Sequence, residues 1–245
     1  RHARLQILAD TTLAIPALTE LLKTRIAADP ALRGRISARA VEIGAGSQAR
    51  WEMWAREARV DWDVSPTTLP RLASEVWSAI KDEDWVLTAG TLEQWTRKLW
   101  DFDRPYRHPG RSLGTATQFG ISLGVALAHR DEKRLVVDMQ PDGDLMFDAG
   151  AMWVAAKHRI PMLVVMYNNR AYYNDWEHQI RMAKLRGTPI ERAHIGMDLD
   201  DPAPDFAAMA RSMGWYAEGP IESPDGIAAA LQRAIAKVKG GQPAL

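Results

Sequence analysis

The chain has 245 residues, 47% of them hydrophobic and 25% charged, with 31 Lys plus Arg set against 31 Asp plus Glu. That length supports one large or two small domains with a real core, and the composition is that of a soluble globular protein. The balanced charge gives no field for nucleic acid or an anionic membrane, and the absence of cysteine excludes disulfides, thiolate metal sites and a Cys nucleophile. Polar residues interrupt every apolar run well short of a membrane span. The first ten residues lack the apolar core and cleavage site of a signal peptide. These features together suit a cytoplasmic protein. The chain starts without methionine and both ends read as cut, so the expectation is a piece of a longer polypeptide.

In chain order, Leu5–Ala9 reads as a strand, followed by a helix opened by Pro16 with Leu18, Leu21 and Leu22 on one face. From about Asp29 to Asp63, charges, Trp51, Trp54 and a Gly44–Ser47 turn suggest a linker or a surface-crossing helix. Ser65-Pro66 reads as an N-cap and N1 proline for a helix with Leu69, Leu72, Val76 and Ile80 as its apolar stripe. Trp85–Ala89 follows as a strand, and then a glycine loop, Gly90-Thr91-Leu92. After an irregular stretch, the small residues from Ser112 to Ala128 suit a helix packed against something flat. Of the ten Trp residues, Trp95, Trp100 and Trp153 fall in segments expected to be buried. The six His residues show no metal-ligand spacing, although His108 and His178 fall near the candidate site described next.

The clearest unit is Leu135–Met139 as a strand, Pro141–Asp144 as a turn, a helix with Ala149, Met152, Trp153 and Ala156 on one face, and the nearly all-apolar strand Pro161–Tyr167. Strand, crossover helix and strand make a right-handed parallel βαβ unit, with both sheet faces covered. Two further helices, about Asp205–Met213 and Pro224–Lys237, flank Trp215-Tyr216-Ala217. The acidic stretch Asp198–Asp205 is most simply a solvated loop. The expected fold is a doubly wound α/β parallel sheet with helices on both faces.

In such a sheet, ligands bind at the carboxyl ends of the strands. Asp142 and Asn168-Asn169 stand just past two neighbouring strand ends, so their side-chain oxygens can converge. Singly, an Asp in such a turn is more often a helix cap, and Asn-Asn is a common turn. As a pair at adjacent strand ends they favour a ligand site. A carboxylate, an amide oxygen and a backbone carbonyl are hard oxygen donors that suit Mg²⁺ or Ca²⁺ and not zinc, and so few ligands leave positions open, the usual arrangement when phosphate oxygens complete a Mg²⁺ shell. Gly143 lets the backbone approach closely, and the helix N-terminus behind it favours an anion.

Asp142-Gly143, a helix, an apolar strand and Asn168-Asn169 resemble the thiamine-diphosphate motif, and the 27-position interval from Asp142 to Asn169 falls in that motif's range. Val137–Asp142 resembles the strand leading into the motif in acetolactate synthases, Ala89–Trp95 the loop that holds the diphosphate, and Ser112–Thr115 the glycine segment lining the aminopyrimidine. Pro204–Gly214 and the closing Gly-Gln-Pro-Ala-Leu are similar to the family's last helix and strand. The resemblance is to the acetolactate synthase, benzoylformate decarboxylase and pyruvate decarboxylase group. It implies a C-terminal cofactor-binding domain over 65–245, a linker over 31–64 and the end of a central domain over 1–30.

The resemblance also implies the site. Asp142 and Asn169 bind Mg²⁺ through side chains and Ala171 through its carbonyl. Gly90, Thr91, Leu92, Gly143 and Asp144 contact the diphosphate, with Tyr172 near the phosphates. The Gly114 carbonyl receives the aminopyrimidine, and Ala116, or Phe119 one turn on, supports the folded cofactor. The implied activity is lyase or carboligase chemistry on a small carbonyl compound, most often decarboxylation of a 2-oxo acid. Within the class, the alternative is a carbon–carbon lyase acting on a 2-hydroxy ketone or 2-hydroxyacyl thioester. The activating glutamate belongs to an N-terminal pyrimidine-binding domain, in the same longer chain or a separate one, and acts across the interface of a homodimer or homotetramer.

Three positions depart from the family pattern. Pro141 replaces the first glycine of the motif. Asp144 replaces a small Ser or Ala and is expected to turn outward as a helix N-terminal acid. Ala116 stands where a bulky residue is usual. These departures keep a non-catalytic member that retains the fold as a rival reading. A nucleotide-binding Rossmann domain is disfavoured, because no Gly-x-Gly-x-x-Gly follows a strand.

Overall fold

The computed structural model describes residues 5–90, 94–110 and 116–245. By internal contacts it divides into two units, Arg1–Met53 and Trp54–Leu245.

In the first unit, Leu5–Asp10 is exposed and has no regular structure, which corrects the expected strand. A strand needs a neighbour to take its backbone hydrogen bonds, and none pairs with it among the described residues. Helix α1 (Thr11–Ala28) starts five residues before Pro16, because the Asp10 carboxylate caps it by accepting from the Thr12 N–H at 2.8 Å. Pro16 lies inside that helix, and Leu18, Leu21 and Leu22 are exposed. Helix α2 (Pro30–Glu57) opens on Asp29, whose Oδ1 accepts from the Leu32 N–H at 2.9 Å, with Pro30 in the first helical position. It runs unbroken through Gly44–Ser47, where a turn was expected: good helix formers flank two glycines that each cost only about 1 kcal/mol.

In the second unit, helix α3 (Leu69–Ile80) is capped by Thr68, not by Ser65; the Ser65-Pro66 bond is cis. Leu72, Val76 and Ile80 are buried along its stripe. Strand β1 (Trp85–Ala89) and the short helix α4 (Trp95–Leu99) follow, and α5 (Gln118–Ala128) is the small-residue helix. Strand β2 (Leu135–Pro141) passes straight into α6 (Asp142–Phe147), so the expected Pro141–Asp144 turn is the first turn of a helix. Helix α7 (Ala151–Lys157) and strand β3 (Leu163–Tyr167) complete the crossover. Three further helices are α8 (Tyr173–Arg186), α9 (Phe206–Ser212) and α10 (Ile227–Lys239). None of the helices is long and apolar enough to cross a membrane, among the described residues.

The strands lie parallel in the order β1-β2-β3, with Ala89 opposite Met139 and Pro141 opposite Tyr167. Beyond β3, Ala244 pairs in parallel with both Leu163 and Tyr216, so the closing segment lies between them. Alternate strand residues feed two cores. Trp85, Leu87, Val137, Met139 and Leu163 pack with α3 and α10. Val86, Val136 and Val164 pack with α5, α7 and α9. Helices therefore cover both faces of a parallel sheet. Two buried indoles anchor the layers, Trp100 to the Ala73 carbonyl at 2.8 Å and Trp215 to that of Met152 at 2.7 Å. Trp153 is 55% exposed, contrary to expectation, because its neighbours Met152 and Ala155 carry the buried face of α7.

Candidate cofactor and metal site

The carboxyl ends of the three strands bring the candidate residues to one edge. Pro141 ends β2 with φ −73° and ψ 143°, an extended conformation that its ring favours, so proline fits where the family has glycine. Asp142 then opens α6 and is only 1% exposed. At the end of β3, the Asn168 side chain accepts from the Arg170 N–H at 3.0 Å, and Arg170 takes a left-handed backbone with φ 57°. This reversal turns the chain back, and the Ala171 N–H then donates both to Asp142 Oδ2 at 3.2 Å and to Asn169 Oδ1 at 3.1 Å. One amide thus gathers the two oxygens that the sequence marked out as ligands. The reversal is braced from outside. Leu199 N donates to the Arg170 carbonyl at 2.7 Å and Tyr172 N to that of Met197 at 2.8 Å, while Ala171 bridges to Asp198. The start of the acidic stretch therefore pairs through its backbone while Asp198 and Asp200 stay exposed.

The glycines sit where nothing larger fits. A Cβ on Gly143 would meet Tyr172 Cδ1 at 2.7 Å, and the Ala171 carbonyl lies 3.5 Å from the same point. A Cβ on Gly90 would meet the Met139 carbonyl at 2.8 Å and Tyr167 Oη at 2.7 Å. Tyr172 covers Gly143 with its ring, 5.1 Å from that of Phe147. Thr91, Leu92 and Gly114 lie outside the described residues.

Two departures from expectation stand out. Asp144 does not turn outward. Its carboxylate faces the start of α5, accepting from the Ala116 N–H at 3.5 Å and from the Gln118 amide. A carboxylate there meets two donors from the start of α5. Phe119 is 1% exposed and packed in the core with its ring 6.0 Å from Trp215. Ala116, with φ 66°, remains at the edge. His178 is exposed on α8. His108 is partly buried and its Nδ1 accepts from the Gly110 N–H at 3.0 Å.

Burial raises the Asp142 carboxyl above its ordinary range, opposed by N–H groups of Gly143, Ala171 and Arg170. Burial likewise raises Asp144, opposed by Ala116 and Gln118, with Asp175 adding a like charge. Asp138, wholly buried on β2, is pushed up to about 8 by burial, opposed by its hydrogen bond with Ser122 and with the charge of Asp144 adding to the rise. Among the described residues no group of three or more His, Cys, Asp or Glu could hold a metal. The residues that could hold a cation at this edge are one carboxylate, one amide and one backbone carbonyl, all oxygen, a set that fits Mg²⁺ shared with a phosphate group.

Residues 88–245 match the family described as thiamine pyrophosphate enzymes, C-terminal TPP binding domain. The chain belongs to that family. A provisionally named acetolactate synthase large subunit, IlvX, of Mycobacterium tuberculosis is 28% identical over 101 residues, 41% of this chain and 19% of that one. Among solved structures, the thiamine diphosphate-dependent 4-hydroxybenzoylformate decarboxylase of Rhodococcus jostii RHA1 superposes with a TM-score of 0.58 at 21% identity, covering 74% of this chain and 32% of that one. The benzoylformate decarboxylase of Polynucleobacter necessarius gives 0.55 at 17% identity, covering 71% and 31%. The likeness to the solved structures is one of fold, and the chain spans about a third of their length. Thiamine diphosphate is the cofactor of this family's C-terminal domain.

Sequence reading passed over one polar set. Thr88, Asp138 and Gln140 are fully buried on the α5 side of the sheet. The available signal was Asp and Gln alternating within an otherwise apolar strand.

Proposed function

We propose that this chain is the thiamine-diphosphate- and Mg²⁺-binding part of a lyase or carboligase that decarboxylates a 2-oxo acid and then protonates the product carbanion or adds it to a second carbonyl. The observation that carries the reading is the Ala171 N–H shared between Asp142 and Asn169, which holds two hard oxygens together at adjacent strand ends. The names of the solved relatives, both aryl 2-oxo acid decarboxylases, support the substrate class.

In this reading Asp142, Asn169 and the Ala171 carbonyl hold Mg²⁺. Gly143 and Asp144, with Gly90, Thr91 and Leu92, would contact the diphosphate, with Tyr172 near the phosphates. Gly114 and Ala116 border the aminopyrimidine. When bound, thiamine diphosphate would supply the carbanion chemistry. The metal serves as a template for the diphosphate. An N-terminal pyrimidine-binding domain, in the same polypeptide or another, provides the activating glutamate within a cytoplasmic homodimer or homotetramer. Residues 65–245 act as the cofactor domain, with 31–64 as linker and 1–30 as the end of a central domain.

Calorimetric titration of the full-length protein with thiamine diphosphate and Mg²⁺ tests this, followed by product assays over a panel of 2-oxo acids. Asp142→Ala is expected to weaken Mg²⁺-dependent binding by at least about tenfold. If the wild type binds neither, or Asp142→Ala changes nothing, the reading fails and the chain is a non-catalytic member of the family.

A further inference from the structure

Asp138 has no part in the site described above, yet it is a fully buried acid three strand positions before the end of β2. On one side, Ser122 of α5 hydrogen-bonds its carboxyl. The single Ser122 hydroxyl proton points to the Gln118 carbonyl, at 2.9 Å. A hydroxyl has one proton to give, so the proton between Ser122 and Asp138 has to come from Asp138. On the other side lies Gln140, also fully buried. With its amide oriented so that nitrogen faces acceptors and oxygen faces a donor, Gln140 donates to both Asp138 oxygens at 3.2 Å and accepts from the Leu145 N–H at 3.3 Å. Leu145 belongs to α6, the helix that opens with Asp142 and Gly143. The same helix reaches back to α5 through Asp144 and Gln118. The polar groups therefore close a ring through β2, α6 and α5.

We propose that Asp138 is a positioning residue held as the neutral acid at neutral pH, whose O–H donates to Ser122 and whose other oxygen accepts from Gln140, so that this buried ring fixes the first turn of α6 against α5. Its bearing on cofactor binding rests on the function proposed above; its protonation does not. A half-satisfied buried network costs more than an apolar core, so every member must be in place. Asparagine can copy the acid's one donor and one acceptor. Leucine can copy neither.

The test uses the full-length protein and its Asp138→Asn and Asp138→Leu variants. Difference infrared spectroscopy of the cofactor-free protein at neutral pH reads the carbonyl stretch of a protonated carboxyl, which wild type should show and Asp138→Asn should lose. Titration with Mg²⁺ and thiamine diphosphate should leave Asp138→Asn within about threefold of wild type and weaken Asp138→Leu about tenfold or more. If Asp138→Leu does not fold, Ser122→Ala takes its place, with a shifted carbonyl band and weaker binding expected. The proposal is overturned if the wild-type band is missing, if Asp138→Asn binds as poorly as Asp138→Leu, or if Asp138→Leu, or Ser122→Ala in its place, binds like wild type. If wild type itself binds no cofactor, the functional reading fails, while the infrared band still decides the state of Asp138.

Discussion

The two faces of the sheet are built differently. Toward α3 and α10 the strands present Trp85, Leu87, Val137, Met139 and Leu163, apolar from one end to the other. Toward α5 and α6 the pattern starts equally apolar, with Val86, Val136 and Val164, and becomes polar at the carboxyl end with Thr88, Asp138 and Gln140, all without solvent contact. One face contributes burial alone. The other gives up part of that contribution to hold polar groups in place behind the candidate site. Stability and site geometry are thus divided between opposite sides of the same three strands.

The largest expected effect breaks this comparison through pH. The Asp138 carboxyl is pushed up to about 8 by burial, so the folded chain keeps a proton there that the unfolded chain releases near pH 4. Over that window the folded state binds more protons, and stability should fall as pH rises, by up to about 1.4 kcal/mol per pH unit. Asp142 and Asp144 are raised as well and slope the same way, so the informative quantity is the difference between wild type and Asp138→Asn in urea melts from pH 4 to 8. The slope should be shallower in the variant. A parallel pair of curves would break the comparison.

Next comes Leu87→Ala on the apolar face. Leu87 has no exposed surface, and its truncation should cost about 3 kcal/mol in the same melts with the pH slope unchanged. Trp215→Phe removes the indole bond to the Met152 carbonyl and leaves that buried acceptor unpaired, an expected loss of about 1–3 kcal/mol by thermal unfolding. The smallest effect sharpens the account of the motif. Pro141→Gly should change Mg²⁺ and thiamine diphosphate binding by less than about threefold, because the proline already has the extended backbone needed there.

The parts legible in the sequence were those whose residues face the core. The three strands read correctly because apolar runs bounded by turn residues leave little alternative, and Asp142 and Asn169 read as a pair because parallel strands must end on the same edge. Helix α8 was missed for the opposite reason: it buries nothing, so it has no apolar stripe, and its boundaries come from Tyr172 and a left-handed Gly187. The start of α3 was misplaced because Ser65-Pro66 and Thr68-Leu69-Pro70 both carry capping chemistry, and only the fold selects Thr68. The direction of Asp144 was not legible, since its donors, Ala116 and Gln118, come from nearly thirty positions upstream. The Asp138 ring was hidden for the same reason: its members come from three separate elements.

The pairing register has one more consequence. Ala89 is level with Met139, while β2 runs on to Pro141, which is level with Tyr167. The sheet therefore ends in a staircase, with Gly90 one tread below Asp142 and Asn168. At about 3.3 Å per residue, the two-residue drop is roughly 7 Å. Any ligand resting on both Gly90 and Asp142 must lie aslant across the strand ends, and its tilt is set by which backbone groups pair deep inside the sheet.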